Sequence, residues 1–364
     1  MIAYWAGLFG GLVILVLGAN LLVKGASRLA LSAGVTPLVI GLTIVAFGTS
    51  APELAVSVAA AYSGSSSLSV ANIVGSNIFN ILFILGASAL IAPLVVNRQL
   101  VRFDVPVLIG ASVLLYVLAA DGSIGFLDSL LLAGLVIAYT SYLIVEARND
   151  RSRAAEAEKA VEVAGPASAR RMSFVPNLGL IAVGIAALVL GSHLLVRGAI
   201  GLARAFGVSE VIIGLTIVAA GTGLPELATS VMAAIKGARD IAIGNIIGSN
   251  IFNILSVLGF SGLASRGRLA VAPEVLAVDI PVAAIVAAAC LPLFRTRYEF
   301  TRWYGALFLG GYVLYIAWIV LKATGSRALG AFNGILFHYV FPVLIIGMTV
   351  TFVLALRKEK NGIY

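Results

Sequence analysis

The chain predicts an all-α polytopic membrane protein built from two inverted five-helix repeats plus one extra C-terminal transmembrane helix, on three observations. Hydrophobic residues make up 61% of its 364 positions and charged residues 11%, with a mean hydropathy of +1.09, where a water-soluble domain has about 25% charge. Apolar runs of membrane-spanning length follow one another with hardly a break. They are too long for barrel strands, which would also alternate with a period of two. The third observation is a repeat. GTSAPELAVSV, starting at Gly48, returns as GTGLPELATSV at Gly221, and GSNIFNIL at Gly75 returns at Gly248, both at an offset of 173 residues. Between 17–58 and 190–231, 26 of 42 positions are identical, more than a shared bias towards Ala, Val, Leu and Gly produces. The chain is the product of an internal duplication.

Eleven spans are expected, at 3–28, 37–61, 69–92, 104–120, 125–145, 174–203, 210–236, 241–264, 275–294, 302–322 and 335–356. The first has no basic leader and no small-residue cleavage site, so it reads as a retained span rather than a removable signal peptide. It is Gly-rich, as is the sixth (GLFGGLVILVLGAN and GLIAVGIAALVLG). The second and seventh are interrupted, with Gly48 and Pro52 in one and Gly221 and Pro225 in the other. Proline lacks an amide donor and releases a carbonyl four residues back, and glycine weakens the helix further. The third and eighth hold the GSNIFNIL copies. The fourth and ninth open on FDVP and VDIP, where Asp104 and Asp279 read as N-caps followed by proline; here the offset is 175, so the second half has gained two residues in the preceding loop. Cys290, the single cysteine, excludes an intramolecular disulfide and reads as a small core side chain. The eleventh span has no counterpart in the first half.

The division expected is therefore a first half at 1–146, a linker at 147–172, a second half at 173–322, and an appended helix and tail at 323–364. The linker is rich in Ala and in both charge signs, as suits a solvated helical or flexible connection. Five spans per half is an odd number, so the second half enters the membrane with the opposite orientation. Of the 24 Lys and Arg residues, 18 fall on the connections and helix ends that face the cytoplasm if the amino terminus lies outside. That bias orients the chain by the positive-inside rule, with linker and carboxyl tail cytoplasmic. The net charge of +8 is thus a matter of helix ends and does not point to nucleic acid.

Inverted repeats place a substrate near the bilayer midplane, between the halves and on interrupted helices. Each interrupted span holds one acid, Glu53 and Glu226, with no Lys or Arg in the same span close enough to neutralise it. A charge at that depth costs roughly 2.5–3.5 kcal/mol on insertion scales, which makes each a functional-site hypothesis. Residues four apart share a helix face, giving polar stripes Thr49, Glu53 and Ser57 and their twins Thr222, Glu226 and Ser230. The third and eighth spans give Asn72, Ser76 and Asn80, and then Asn245, Ser249 and Asn253. The chemistry is oxygen throughout, as hard cations such as calcium and sodium require. Asn72, Asn245, Ser57 and Ser230 read equally as interhelical hydrogen-bond partners. The lone histidines His193 and His338 read as packing or local hydrogen bonding.

The paired GTSxPE and GSNxFN motifs around a charged linker resemble the alpha repeats of the calcium/cation antiporter superfamily, in its prokaryotic sodium/calcium exchanger branch, over about residues 1–322. The resemblance implies ten helices with the second, third, seventh and eighth around four adjacent ion sites. It implies calcium ligands at the carboxylates of Glu53 and Glu226 and the carbonyls of Thr49 and Thr222. Sodium sites would add Ser50, Ser76 and Ser249, the carbonyls of Ala46 and Ala219, and the amides of Asn80 and Asn253. Two positions depart from the pattern. Gly223 stands where the family offers a serine matching Ser50, and Asn253 stands where some members have aspartate, which limits the charge of the cage to −2. The expected function is a plasma-membrane antiporter that exports calcium for sodium by alternating access, with those ions as transported cargo and no cofactor. Proton/calcium exchange through the same glutamates is the alternative, and a passive cation channel is the rival of another class. No nucleophile–base constellation at membrane depth points to an enzyme.

Overall fold

The computed structural model describes residues 1–33, 35–62, 66–160, 174–207, 219–265, 268–296 and 298–336, with isolated positions thereafter. Among the described residues eight helices are long and apolar enough to cross a bilayer, among them Ile2–Ala33, Ser66–Ile91, Leu100–Leu118, Phe126–Ala147 and Val175–Ala205 in the order expected. Arg239–Ala264, Val275–Arg295 and Arg302–Ala323 follow as the eighth, ninth and tenth spans. The second span is the pair Pro37–Thr49 and Ala51–Tyr62, bent by 42° at the predicted interruption. Of the seventh, Ala219–Gly221 and Leu224–Ile235 are described. Most of the expected eleventh span, 335–356, lies outside the described residues, and so does the linker beyond 160; the helix of the fifth span runs on to Ala160.

The first and sixth spans lie antiparallel on one seam. Gly11, Gly18 and Gly25 recur every seven residues, and Gly184, Gly191 and Gly198 are their repeat mates. A Cβ on Gly191 would sit 2.5 Å from the Leu15 amide nitrogen, and one on Gly184 would sit 2.7 Å from that of Leu22. Only hydrogen fits, and the backbones meet directly.

Inside this pair lie the interrupted spans and the two GSNIFNIL spans. The eighth is the most enclosed, with every residue of 241–259 buried. Both GSNIFNIL segments open into π-helical turns, Phe79–Leu85 and Asn253–Leu258, a widening that frequently marks functional positions. Two short antiparallel pairs tie the halves together: Leu94–Val95 with Glu299–Phe300, and Ser123–Gly125 with Arg268–Ala270. The strand before the fourth span thus pairs with the one before the tenth, and the strand before the fifth with the one before the ninth. Exchanging the two halves maps each pair onto the other, as a two-fold relation requires.

The N-cap reading of Asp104 and Asp279 is corrected. Neither makes a side-chain cap bond, because the π turns Leu100–Asp104 and Val275–Asp279 run straight into the following helix and leave no orphan amides there. Instead Tyr139 donates its hydroxyl to Asp104 Oδ1 at 3.0 Å, and Tyr315 donates to Asp279 Oδ1 at 2.9 Å. Each is a staple between neighbouring spans, made once per repeat.

Candidate functional site

The sequence breaks its own helices where the acids stand. The segment Ala46–Thr49 stops at Ser50 (φ −81°, ψ 4°), and Ala51–Tyr62 restarts with Glu53 in its first turn. In the second half Gly223 takes nearly the same conformation (φ −79°, ψ 1°), and Leu224–Ile235 restarts with Glu226 in its first turn. Both carboxylates therefore sit at helix N-termini, where exposed amides and the helix dipole favour negative charge. They are 1% and 0% exposed.

The two halves interlock around them. Ser50 Oγ donates to Glu226 Oε1 at 3.2 Å, so the hydroxyl of one repeat serves the acid of the other. Thr49 Oγ1 donates to Asn245 Oδ1 at 3.0 Å and lies 3.4 Å from Ser249 Oγ, while Asn245 Nδ2 donates to Ser230 Oγ at 2.9 Å. At the middle, Asn253 Nδ2 donates to Asn77 Oδ1 at 3.1 Å, and Asn77 Nδ2 donates to the Asn250 carbonyl at 3.1 Å.

Several atoms aimed into this cluster are left over. Glu53 Oε2, Glu226 Oε2, Asn253 Oδ1 and both amide atoms of Asn80 are buried without a hydrogen-bond partner among the described residues. An unsatisfied buried polar atom costs about 1–3 kcal/mol, more when charged. Four oxygens from four spans in that condition, two of them carboxylate, form a set that a bound cation would satisfy. No group of three or more His, Cys, Asp or Glu occurs among the described residues, so the donor set is two carboxylates with neutral oxygens, which suits a hard cation.

Of the residues expected from sequence, Thr49, Ser50, Glu53, Ser76, Asn80, Glu226, Ser249 and Asn253 are all buried in this core, and Thr222 is partly buried. Ala46 differs from a freed carbonyl donor: its oxygen accepts from the Ser50 amide at 3.0 Å and from Thr49 Oγ1 at 3.3 Å. Ala219 begins the described part of its span. Gly223 is more than an absent hydroxyl, since a Cβ there would meet Phe79 Cδ1 at 2.8 Å.

Sequence reasoning passed over Asn77, Asn250 and Ser192. Ser192 of the sixth span donates to the Gly221 carbonyl at 2.8 Å, the carbonyl that Pro225 leaves without its usual amide. Its repeat mate is Ala19, so identity between the halves gave no signal. Asn77 was legible at three residues from Asn80, but a spacing of four alone skips it.

A family model described as sodium/calcium exchanger protein matches residues 3–145 and 176–321. The sodium/calcium exchanger MaX1 of Methanosarcina acetivorans is 34% identical over 336 residues, covering 84% of this chain and 95% of the relative. Inner membrane protein YrbG of Escherichia coli is 35% identical over 320 residues, covering 87% and 97%. Among solved structures, the sodium-calcium exchanger NCX_Mj soaked with 10 mM Na+ and zero Ca2+ has a TM-score of 0.74 at 32% identity, over 87% of this chain and 98% of that one.

Proposed function

Because the chain belongs to the sodium/calcium exchanger family, we propose that it is a secondary antiporter that exports Ca2+ across the plasma membrane in exchange for Na+ by alternating access. The observation that supports this most is the pair Glu53 and Glu226, each buried with an oxygen lacking a partner among the described residues. Calcium takes six to eight oxygens in flexible geometry, and magnesium gives up its water reluctantly. A dehydrated cage with two carboxylates matches the dication in charge, and the carbonyls of Thr49 and Thr222 complete the calcium set in this reading. Sodium ions replace calcium at the same carboxylates and draw on Ser50, Ser76, Ser249, Asn80, Asn253 and the carbonyl of Ala219.

Exchange follows from charge. An empty site of charge −2 pays the full desolvation cost of its carboxylates when it is occluded, whereas a neutralised one does not. The site therefore changes sides readily only when loaded, and two cargoes competing for it become coupled. The first and sixth spans, seated on one glycine seam, are the pair that moves past the core. The amino terminus lies outside, and the linker and carboxyl tail are cytoplasmic.

Calcium uptake into proteoliposomes tests the reading, first under an outward sodium gradient and then under a pH gradient alone. Uptake driven by sodium is expected. Uptake that ignores sodium and follows pH would transfer the reading to proton exchange, and single-channel conductance would replace antiport with a channel.

A further inference from the structure

Ser50 and Gly223 are repeat mates with the same backbone conformation, yet their surroundings are opposite. Ser50 puts a hydroxyl beside Glu226. At Gly223 the room a side chain would need is occupied by the Phe79 ring, whose Cδ1 and Cε1 lie 2.8 and 2.9 Å from the ideal Cβ position. The ring is fixed there. It stacks on Phe83 at a centroid distance of 4.9 Å and meets Tyr312 of the tenth span edge-on at 5.4 Å, and Tyr312 also closes on Phe83 at 5.3 Å.

Among the described residues the other half has no such cluster. The mate of Phe79 is Phe252, which meets only Phe47 among the ring contacts described, at 5.9 Å, and the mates of Phe83 and Phe47 are Ser256 and Ala220. Phe79 also adjoins Asn80 in the third span, so the ring wall and the unpartnered amide are neighbours in the chain. Sodium requires an oxygen at each such position. A glycine backed by a phenyl face offers no side-chain oxygen, and the Gly223 carbonyl already accepts from the Leu227 amide at 3.0 Å.

We infer that Phe79, held by Phe83 and Tyr312, is a specificity-determining residue that eliminates the monovalent-cation position on the Gly223 side, so that the cage holds fewer sodium ions than its duplicated plan provides. The inference rests on the cation-antiport reading above and goes beyond it in naming what limits the sodium count. It also predicts that restoring the hydroxyl alone achieves nothing, because Gly223→Ser drives its Cβ into a packed ring. The ring has to shrink as well.

The test uses the purified full chain. Equilibrium binding of radioactive sodium to wild type, Gly223→Ser, Phe79→Ala and the Phe79→Ala/Gly223→Ser double variant gives the number of sodium ions per chain. Calcium self-exchange in proteoliposomes shows that each variant is folded. The double variant is expected to bind more sodium per chain than wild type and to show a steeper sodium dependence, with neither single variant gaining. A gain in Gly223→Ser alone, or an unchanged count in a double variant that still exchanges calcium, overturns the inference. Should the double variant lose calcium self-exchange, Ser50→Gly decides in its place: the sodium count must fall, and an unchanged count overturns the inference. Wild-type protein that exchanges calcium without binding sodium would sink the antiport reading itself, a result separate from these.

Discussion

Glu53 and Glu226 have no substitute within the polar cluster between the halves, where the other buried side chains named above, Thr49, Ser50, Ser76, Asn80, Asn245, Ser249 and Asn253, are neutral. Replacing either by glutamine keeps the shape and removes half the charge that faces a dication. Breaking one partner of a buried ionic pair costs roughly 3–5 kcal/mol, which at 1.4 kcal/mol per tenfold is on the order of a hundredfold or more in binding. Glu53→Gln and Glu226→Gln are each expected to abolish calcium uptake in proteoliposomes while eluting as folded protein; normal uptake by either one would exclude a shared site. The acids were legible because a lone carboxylate in an apolar span is conspicuous. Asp104 and Asp279 were equally conspicuous and were misread, because their partners Tyr139 and Tyr315 lie 35 and 36 residues away. Tyr139→Phe removes the donor to a fully buried Asp104 and should cost about 1–3 kcal/mol of stability. Tyr315→Phe should cost less, since that bond is only part-buried. Thermal denaturation in detergent compares the two, and equal losses would show that burial does not set the cost.

Among the elements, the interrupted helices follow most directly from composition, since Gly48, Pro52, Gly221 and Pro225 mark the breaks before any packing is known. The pairing of the first and sixth spans was half visible. Their glycine content stands out, but the residues that matter form a seven-residue series whose partners are its own repeat mates, and that becomes clear only once the two helices are seen antiparallel. Gly191→Ala sets a methyl against the Leu15 backbone, and backbone cannot rotate aside as a side chain can; overpacking of this kind costs about 1–3 kcal/mol. Gly10→Ala and Gly179→Ala, on the same helices but with nothing within 4 Å of the new Cβ among the described residues, are expected to leave the melting temperature nearly unchanged. A uniform effect of all three substitutions would mean that helix propensity rather than the seam governs stability.

On the scale of the whole molecule the duplication explains the architecture, and the two halves depart from its symmetry around the polar cluster. A repeat cannot reveal this, because near-identical halves are free to adopt unlike packing. The chain Thr49–Asn245–Ser230 is hydrogen-bonded throughout. Its mirror is Thr222–Asn72–Ser57, where Asn72 Nδ2 and Ser57 Oγ have no hydrogen-bond partner among the described residues. Asn245 is fully buried and Asn72 partly exposed. In the orientation proposed from the basic residues, Asn245 lies in the cytoplasmic half of the eighth span and Asn72 in the external half of the third. The greater exposure of Asn72 than of Asn245 then predicts readier access to Asn72 from outside. In a Cys290→Ala background, which removes the single native thiol, Asn72→Cys should react with a membrane-impermeant thiol reagent added outside, and Asn245→Cys should stay unreactive from the cytoplasmic side. Labelling of Asn245→Cys from the cytoplasm with Asn72→Cys protected would show that the inward-open state prevails. Labelling of Asn72→Cys only from the cytoplasm would instead reverse the orientation drawn from the basic residues, leaving the internal symmetry intact.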